Sequence, residues 1–122
     1  MPKNATTLLY EHVEQFEENY KVHYSCTTYA SNSNDKIYSA VIKVKDGYVE
    51  VTAKKDNTVR VFCRYTHEQK FPEITVSGYK NCKLLFEILT TILDCSKYGN
   101  ATTQDINDAI MCLVQLAYQE QF

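Results

Sequence analysis

The chain has 122 residues, of which 44% are hydrophobic and 23% are charged. This composition is typical of one folded domain and excludes an intrinsically disordered chain. Thirteen basic and fifteen acidic side chains give a net charge of -2, which argues against a general nucleic-acid binder, because such proteins are basic overall. Every apolar stretch is far shorter than the roughly 20 residues of a membrane-spanning helix, so we expect no membrane partner.

The first part of the chain has the pattern of an amphipathic helix followed by a β-strand. Apolar residues recur at helical spacing with glutamates between them, and we expect the helix to begin near Thr6 or Thr7. From Lys21 the apolar period changes to two, which predicts a strand. The residues that we expect to face the core are Leu9, Val13, Phe16 and Tyr20 in the helix and Val22, Tyr24, Cys26 and Thr28 in the strand.

The middle of the chain predicts three more strands separated by turns. A polar loop at 31–35 precedes the first of them. Asp46-Gly47 then predicts a tight hairpin turn, because glycine tolerates a positive φ, and Asp56-Asn57 marks a second turn. The alternating sets that we expect to face the core are Tyr38, Ala40, Ile42 and Val44, then Val49, Val51 and Ala53, then Val59, Val61, Cys63 and Tyr65.

The last strand is predicted to be short. Phe71-Pro72 leads into it, and it includes Ile74 and Val76 and ends at Gly78. Proline fixes φ, so the simplest interpretation of Phe71-Pro72 is a structural turn whose phenylalanine fills part of the core.

Two helices close the sequence. The first should stop at Gly99, a usual C-terminal cap, and Thr102 with Asp105 is a variant of the N-terminal capping pattern for the second. Their apolar stripes are Cys82, Leu85, Phe86, Leu89, Ile92 and Leu93, and Ile106, Ala109, Ile110, Leu113 and Ala117. The order helix, strands, helix, helix predicts that residues 1–122 form a single α+β domain, in which an antiparallel meander packs its helices largely on one face.

The cysteines indicate a chain without disulfides. Their number is odd, their spacing is wide and no C-x-x-C pair occurs, so neither a disulfide framework nor a zinc site is expected. Each lies in an apolar pattern, and we expect all of them to be buried as small hydrophobic side chains. They are Cys26, Cys63, Cys82, Cys95 and Cys112. The first residues lack the apolar segment of a secretory signal, and together these features favour the cytoplasm or the nucleus.

The element order, with a proline-containing crossing before the last helices, resembles the RWD domain, whose fold is related to that of ubiquitin-conjugating enzymes. RWD sequences commonly carry a Tyr-Pro-x-x-x-Pro signature that leads into a short strand. Phe71-Pro72 matches the start of that signature, whereas Val76 stands where its second proline would be. The stretch that carries the resemblance is Tyr65-Thr66-His67-Glu68-Gln69-Lys70-Phe71-Pro72-Glu73-Ile74. The resemblance implies a non-catalytic domain that serves as an adapter or scaffold for other proteins.

The sequence carries no pattern of catalytic residues. A ubiquitin-conjugating enzyme needs a nucleophilic thiol beside a His-Pro-Asn segment, and this chain has no such segment. Cys82 lies at a suggestive position after the strands, but it is in helical register with Leu85 and Phe86, so we expect it to be buried and inert. The three histidines fall in three different elements without metal-ligand spacing. We therefore expect no enzyme activity, no cofactor and no metal.

Charge is distributed unevenly along the chain. Residues 36–83 hold ten basic and five acidic side chains, whereas the segments before and after them are acidic. By strand parity, four basic residues of the strands point away from the core, with one phenylalanine between two of them. The residues that we predict to bind a partner are Lys43, Lys54, Arg60, Phe62 and Arg64.

Several interpretations of this basic face remain open. It is either an ordinary solvated sheet face or a surface for an acidic protein partner with Phe62 as an apolar anchor. A small RNA-binding module with a basic sheet face is the alternative function, although the net acidity and the lack of a lysine and arginine cluster count against it. A ubiquitin-pathway enzyme or its inactive variant is a distant third.

Overall fold

A computed structural model of the chain describes residues 3–28, 36–65, 71–95 and 99–119. Each strand pairs antiparallel with the next along the chain, and the sheet order is β1-β2-β3-β4-β5. This arrangement confirms the predicted α+β fold, with a helix, an antiparallel meander and two final helices. The elements are α1 (Ala5–Glu17), β1 (Lys21–Thr28), β2 (Lys36–Val44), β3 (Gly47–Lys54), β4 (Thr58–Tyr65), β5 (Ile74–Ser77), α2 (Tyr79–Cys95) and α3 (Thr103–Gln119).

Helix α1 begins at Ala5, slightly earlier than the predicted start, because the capping residue is Asn4. The Asn4 side-chain oxygen accepts hydrogen bonds from the backbone N–H groups of Thr6 (3.0 Å) and Thr7 (3.2 Å). A capping side chain of this kind satisfies donors that the first helical turn leaves without partners. The sequence pattern identified the two threonines as the start, although they are the residues that donate to the cap.

The helices pack on one face of the sheet, as predicted. Helix α1 contacts β1, β2 and β3, whereas α3 contacts β3, β4 and β5, and α2 lies between the two other helices. The strand side chains beneath this layer are buried. They are Ala40, Ile42, Val44, Val49, Val51, Ala53, Val59, Val61, Cys63, Ile74 and Val76.

The edge strand β1 is covered less well than the prediction assumed. Val22 and Tyr24 point toward the helix layer but are only half-buried, and Cys26 is exposed. Tyr10 of α1 is 61% exposed and makes an edge-to-face contact with Tyr24, at 6.1 Å between ring centroids. A two-residue period correctly identifies which side chains share a face. It does not show where the covering layer ends.

The hairpin between β2 and β3 forms at the predicted place, but the explanation through glycine was wrong. The turn residues are Lys45 and Asp46, and Gly47 is the first residue of β3, without a positive φ. The turn is bonded to the start of α3 instead. The Lys45 N–H donates to the Ala101 carbonyl (3.0 Å), and the Asp46 carboxylate accepts from the Thr103 N–H (2.8 Å).

The turn between β3 and β4 also forms as predicted, and it connects two helix starts. Asn57 is left-handed, with φ 64°, a conformation that asparagine tolerates better than most residues. Its side-chain oxygen accepts from the Ala5 N–H at 2.9 Å, at the start of α1. Its carbonyl accepts from the Gly78 N–H (2.9 Å) and from the Cys82 thiol (3.2 Å), at the start of α2.

The other end of the helix layer is held by Tyr20. Its hydroxyl donates to the Leu93 carbonyl (3.4 Å) and accepts from the Ala101 N–H (3.2 Å), so it links the ends of α1 and α2 to the start of α3. The Thr102 hydroxyl accepts from the Asp105 N–H (3.2 Å), which confirms the predicted cap of α3.

The cysteines are only partly as predicted. Cys63 and Cys82 are buried free thiols, but Cys26 and Cys112 are exposed. The expectation that every cysteine is buried was therefore wrong for Cys26 and Cys112. Cys26 lies on the edge strand beyond the helix layer, and Cys112 lies on a face of α3 that points to solvent. The side chain of Cys95 falls outside the described residues.

Phe71 and Pro72 occupy the crossing before β5. Phe71 is half-buried against the core, and its N–H donates to the Cys63 carbonyl (3.2 Å), whereas Pro72 is exposed. The interpretation of this pair as a structural turn is consistent with these contacts. Residues 66–70 of the stretch that resembles RWD domains lie outside the described residues, as does the predicted loop at 31–35.

Candidate functional site

The candidate site is the side of the sheet that faces away from the helices, which we call the open sheet face. Because side chains alternate along each strand, every second residue of β1 to β5 belongs to it. None of its described side chains is buried; all are half-buried or exposed. Its central members are Lys21, His23, Val41, Lys43, Tyr48, Glu50, Thr52, Lys54, Arg60, Phe62 and Arg64.

Cationic side chains form one row across the open sheet face, near the β2–β3 hairpin. In the strand register Lys21 is opposite Lys43, Lys43 is opposite Tyr48, and Tyr48 is opposite Arg64. The Lys43 ammonium lies 5.0 Å from the centre of the Tyr48 ring, and the Arg64 guanidinium lies 5.9 Å from it. Tyr48 is thus held between two cations, which the electron-rich face of its ring attracts.

Phe62 lies beside this row, next to a shallow hollow of about 240 Å³. It is half-buried and is opposite Glu50 in the strand register. Arg60 also lines the hollow and forms an ion pair with Glu73, at 3.1 Å between Nη1 and Oε1. Both partners of this pair are exposed, so it contributes little stability, and Glu73 partly offsets the charge of Arg60.

The five predicted binding residues all belong to the open sheet face, but they do not form one cluster. Lys43 and Arg64 flank Tyr48 at one end, and Phe62 and Arg60 follow along β4. Lys54 is half-buried at the opposite end of the face, where it is opposite Ile37. The alternation of side chains along the strands predicts that all five residues share one side of the sheet. Only the strand register shows which of them are neighbours.

The sequence prediction missed Lys21, Tyr48, Glu50 and Glu73 as members of this surface. Tyr48 could have been found, because a two-residue turn at Lys45-Asp46 places it opposite Lys43. The position of Lys21 depends on the register between β1 and β2, which a long polar loop does not fix.

Cys82 is the thiol at the position that suggests a catalytic group, and its surroundings disfavour the thiolate form. It is fully buried in the first turn of α2, and its thiol donates to the Asn57 carbonyl (3.2 Å). Burial, with the nearby Asp56 carboxylate as a smaller cause, raises the pKa of Cys82 to about 11. The thiolate, which is the nucleophilic form, is therefore scarce at neutral pH. The neighbouring Asn81 side chain donates to the Ser77 carbonyl (3.1 Å).

Among the described residues, no helix is long and apolar enough to cross a membrane. Within the same part of the chain, no group of three or more His, Cys, Asp or Glu residues is arranged to hold a metal ion. In comparisons with known proteins, no family model, no curated protein and no solved structure matches this chain.

Proposed function

We propose that this chain is a non-catalytic protein-interaction domain, of the adapter or scaffold type, whose open sheet face binds an acidic segment of another protein. The observation that carries the proposal is Phe62, an aromatic side chain that the helix layer does not cover. It lies beside Arg64, and neither Arg64 nor Lys43 forms an ion pair with a described carboxylate. The resemblance of residues 65–74 to the RWD domain supports the same kind of function.

The chemistry of the surface fits a protein partner. Aromatic and arginine side chains are the types most enriched where interfaces concentrate their binding energy, and Phe62, Tyr48 and Arg64 are neighbours here. A partner that covers Phe62 would remove apolar area from water, and carboxylates on the same partner would meet Lys43 and Arg64. Burial then supplies affinity, and charge supplies orientation and speed of association.

A small RNA-binding module is the alternative function. The observation in its favour is Tyr48 between Lys43 and Arg64, because an aromatic ring beside cations can stack on a base while the cations meet the phosphates. Against it, the open sheet face also carries Glu50 and Glu73, which would interrupt the long track of positive charge that an extended phosphate backbone needs. These two carboxylates are the reason that we favour a protein partner.

A ubiquitin-pathway enzyme is the third candidate. The buried position of Cys82 and its raised pKa support a non-catalytic domain instead. The direct assay is thioester formation with ubiquitin in the presence of the activating enzyme. A reducible ubiquitin adduct on Cys82 would contradict the adapter function.

The adapter function can be tested by quantitative affinity capture with matched variants. Wild type, Phe62→Ala and Arg64→Ala should be compared as immobilised proteins against one cell extract. The matched control is Met111→Ala, which truncates a side chain that is 38% exposed on the helix layer. We expect a defined set of proteins that the control retains and that both sheet variants lose. Equal capture by all four proteins would overturn the proposal.

The RNA alternative is tested separately by a gel-shift titration over a range of salt concentrations. Phosphate contacts release counterions, so RNA binding should weaken steeply as salt rises. Salt-sensitive RNA binding that depends on Arg64 and Tyr48 would show that the partner is RNA and not a protein.

A further inference from the structure

We infer that the hairpin end of the open sheet face binds a phosphorylated side chain of the protein partner. This inference rests on the proposed function, because it names the chemistry of the segment that the open sheet face would bind. The proposed site is a hollow of about 240 Å³. Its lining residues are Lys21, Val22, His23, Val41, Lys43 and Tyr48. We call it the lysine hollow.

Positive charge is concentrated at the lysine hollow. Lys21 and Lys43 are direct cross-strand partners on the same face, an arrangement in which like charges destabilise a sheet. Arg64 adds a third cation on the far side of Tyr48. Among the described residues neither lysine forms an ion pair with a carboxylate. An anion between the two ammonium groups would convert this repulsion into attraction.

Glu50 is an acidic side chain of the same face and lies close to the lysine hollow. Glu50 belongs to the neighbouring row, where it is opposite Val41 on one side and Phe62 on the other. It therefore limits the positive surface to a compact area around the lysine hollow. Such an area suits one concentrated anion better than a long track of separate charges.

The hydrogen-bond donors of the lysine hollow match a phosphate monoester in number and type. A phosphate monoester carries about -1.5 to -2 charges at neutral pH and three strongly accepting oxygens. The lysine hollow offers two ammonium groups, the Tyr48 hydroxyl and a ring N–H of His23, all of which can donate. A carboxylate brings one charge and two oxygens, so it would use fewer of these donors. A phosphodiester of RNA also brings one charge, and two of its oxygens are bonded to sugars.

The test uses the full chain and two blocked alanine peptides, one with phosphoserine at its centre and one with glutamate there. Binding is followed by two-dimensional NMR of the 15N-labelled protein. We expect the phosphoserine peptide to shift the amide signals of residues 21–23, 41–43 and 48. It should bind about tenfold more tightly than the glutamate peptide, because a carboxylate has less charge and makes fewer charge-assisted hydrogen bonds. Equal affinity for the two peptides would overturn the inference.

Variants then locate the site. Lys43→Gln and Lys21→Gln should each weaken phosphopeptide binding about tenfold, since each removes one charge-assisted hydrogen bond. The matched control is Lys83→Gln, which removes the same kind of charge from an exposed position on α2 and should bind as wild type does. The amide spectrum of each variant reports whether it is folded. Equal losses in Lys83→Gln and Lys43→Gln would show nonspecific attraction and would also overturn the inference.

A third arm distinguishes the source of the phosphate. A short single-stranded RNA is titrated under the same conditions. Tighter binding of this RNA than of the phosphopeptide, with the same dependence on Lys43, would assign the site to nucleic acid and refute the phosphoprotein inference. If the phosphopeptide does not bind but capture of proteins still depends on Phe62, only this inference fails and the adapter function stands.

Discussion

The two faces of the sheet are made by the same strands, yet they are chemically opposite. In β4, Val59, Val61 and Cys63 are at most 1% exposed beneath the helices, whereas Arg60 and Arg64, the residues between and after them, are exposed on the other side. Each environment contains a phenylalanine. Phe86 of α2 is fully buried over one face, and Phe62 of β4 is half-buried on the other. One strand can therefore give alternate residues to the core and to a surface that the helices leave uncovered.

The largest effect is expected from Phe86→Ala, on the helix side. Phe86 is fully buried and its ring stacks on His12, at 5.3 Å between centroids. Truncation leaves a cavity in a close-packed core, so the free energy of unfolding should fall by about 3–5 kcal/mol. Urea unfolding followed by circular dichroism measures this loss. A loss below about 1 kcal/mol, the size expected of a surface site, would mean that Phe86 is not packed as described.

The next effect tests the turn that connects two helix starts. Asn57→Ala forces alanine into the left-handed conformation and removes the oxygen that accepts from the Ala5 N–H. Together these changes should lower the free energy of unfolding by about 2–3 kcal/mol. Asn57→Gly keeps the left-handed conformation available and loses only the side-chain bond.

The glycine variant is the control for the alanine variant. It should lose less stability, about 1 kcal/mol, and the difference between the two measures the cost of the backbone conformation. If both variants lose the same amount, the left-handed turn contributes nothing and only the bond to Ala5 matters.

The sequence sufficed to predict the order of the elements and the core side of the sheet, because both follow from local periodicity. Alternation placed Arg60, Phe62 and Arg64 together on one face without any knowledge of the helices. Periodicity does not show how far the helix layer extends, so Cys26 on the edge strand was wrongly expected to be buried.

Contacts between distant parts of the chain also escaped prediction. The cation row needs the register of four strands, and only the β2–β3 part of it follows from a short turn. Asp46 was assigned to a turn, but its carboxylate also caps α3, more than fifty residues later in the chain. Such a pair is fixed by the packing of the whole domain, and no local pattern reports it.

A smaller effect is expected from Cys82→Ser, which puts a hydroxyl into an apolar site. The free energy of unfolding should fall by about 1–3 kcal/mol. The hydroxyl can still donate to the Asn57 carbonyl, which keeps the loss near the lower end. At pH 8 a thiol reagent should modify Cys26 and Cys112 rapidly in the native chain, and Cys82 only on unfolding. Rapid modification of Cys82 in a Cys95→Ser background would contradict its burial.

The Cys82 thiol should also make the free energy of unfolding depend on pH. Burial raises the pKa of Cys82 from 9.0 to about 11, so the folded chain holds this proton more tightly than the unfolded chain does. The stabilisation is complete below pH 9 and is lost as pH rises from 9 through 11. The free energy of unfolding, measured in urea, should fall more between pH 8 and pH 10 in wild type than in Cys82→Ala. Identical losses would show that Cys82 titrates normally.

The smallest change in stability is expected from Phe62→Ala, which removes the same atoms as Phe86→Ala from the other face. No helix covers Phe62, so its truncation leaves no closed cavity, and only its contacts with cross-strand neighbours such as Glu50 are lost. Contacts of this kind are worth about 0.2–1 kcal/mol, and we expect a loss near 0.5 kcal/mol. Urea unfolding of both variants under one set of conditions allows the two losses of unfolding free energy to be compared directly. If Phe62→Ala were as damaging as Phe86→Ala, the open sheet face would be part of the core and could not serve as a binding surface. A small loss of stability, combined with loss of partner capture, would instead place the contribution of Phe62 in recognition, because the residue would then be dispensable for folding and necessary for binding.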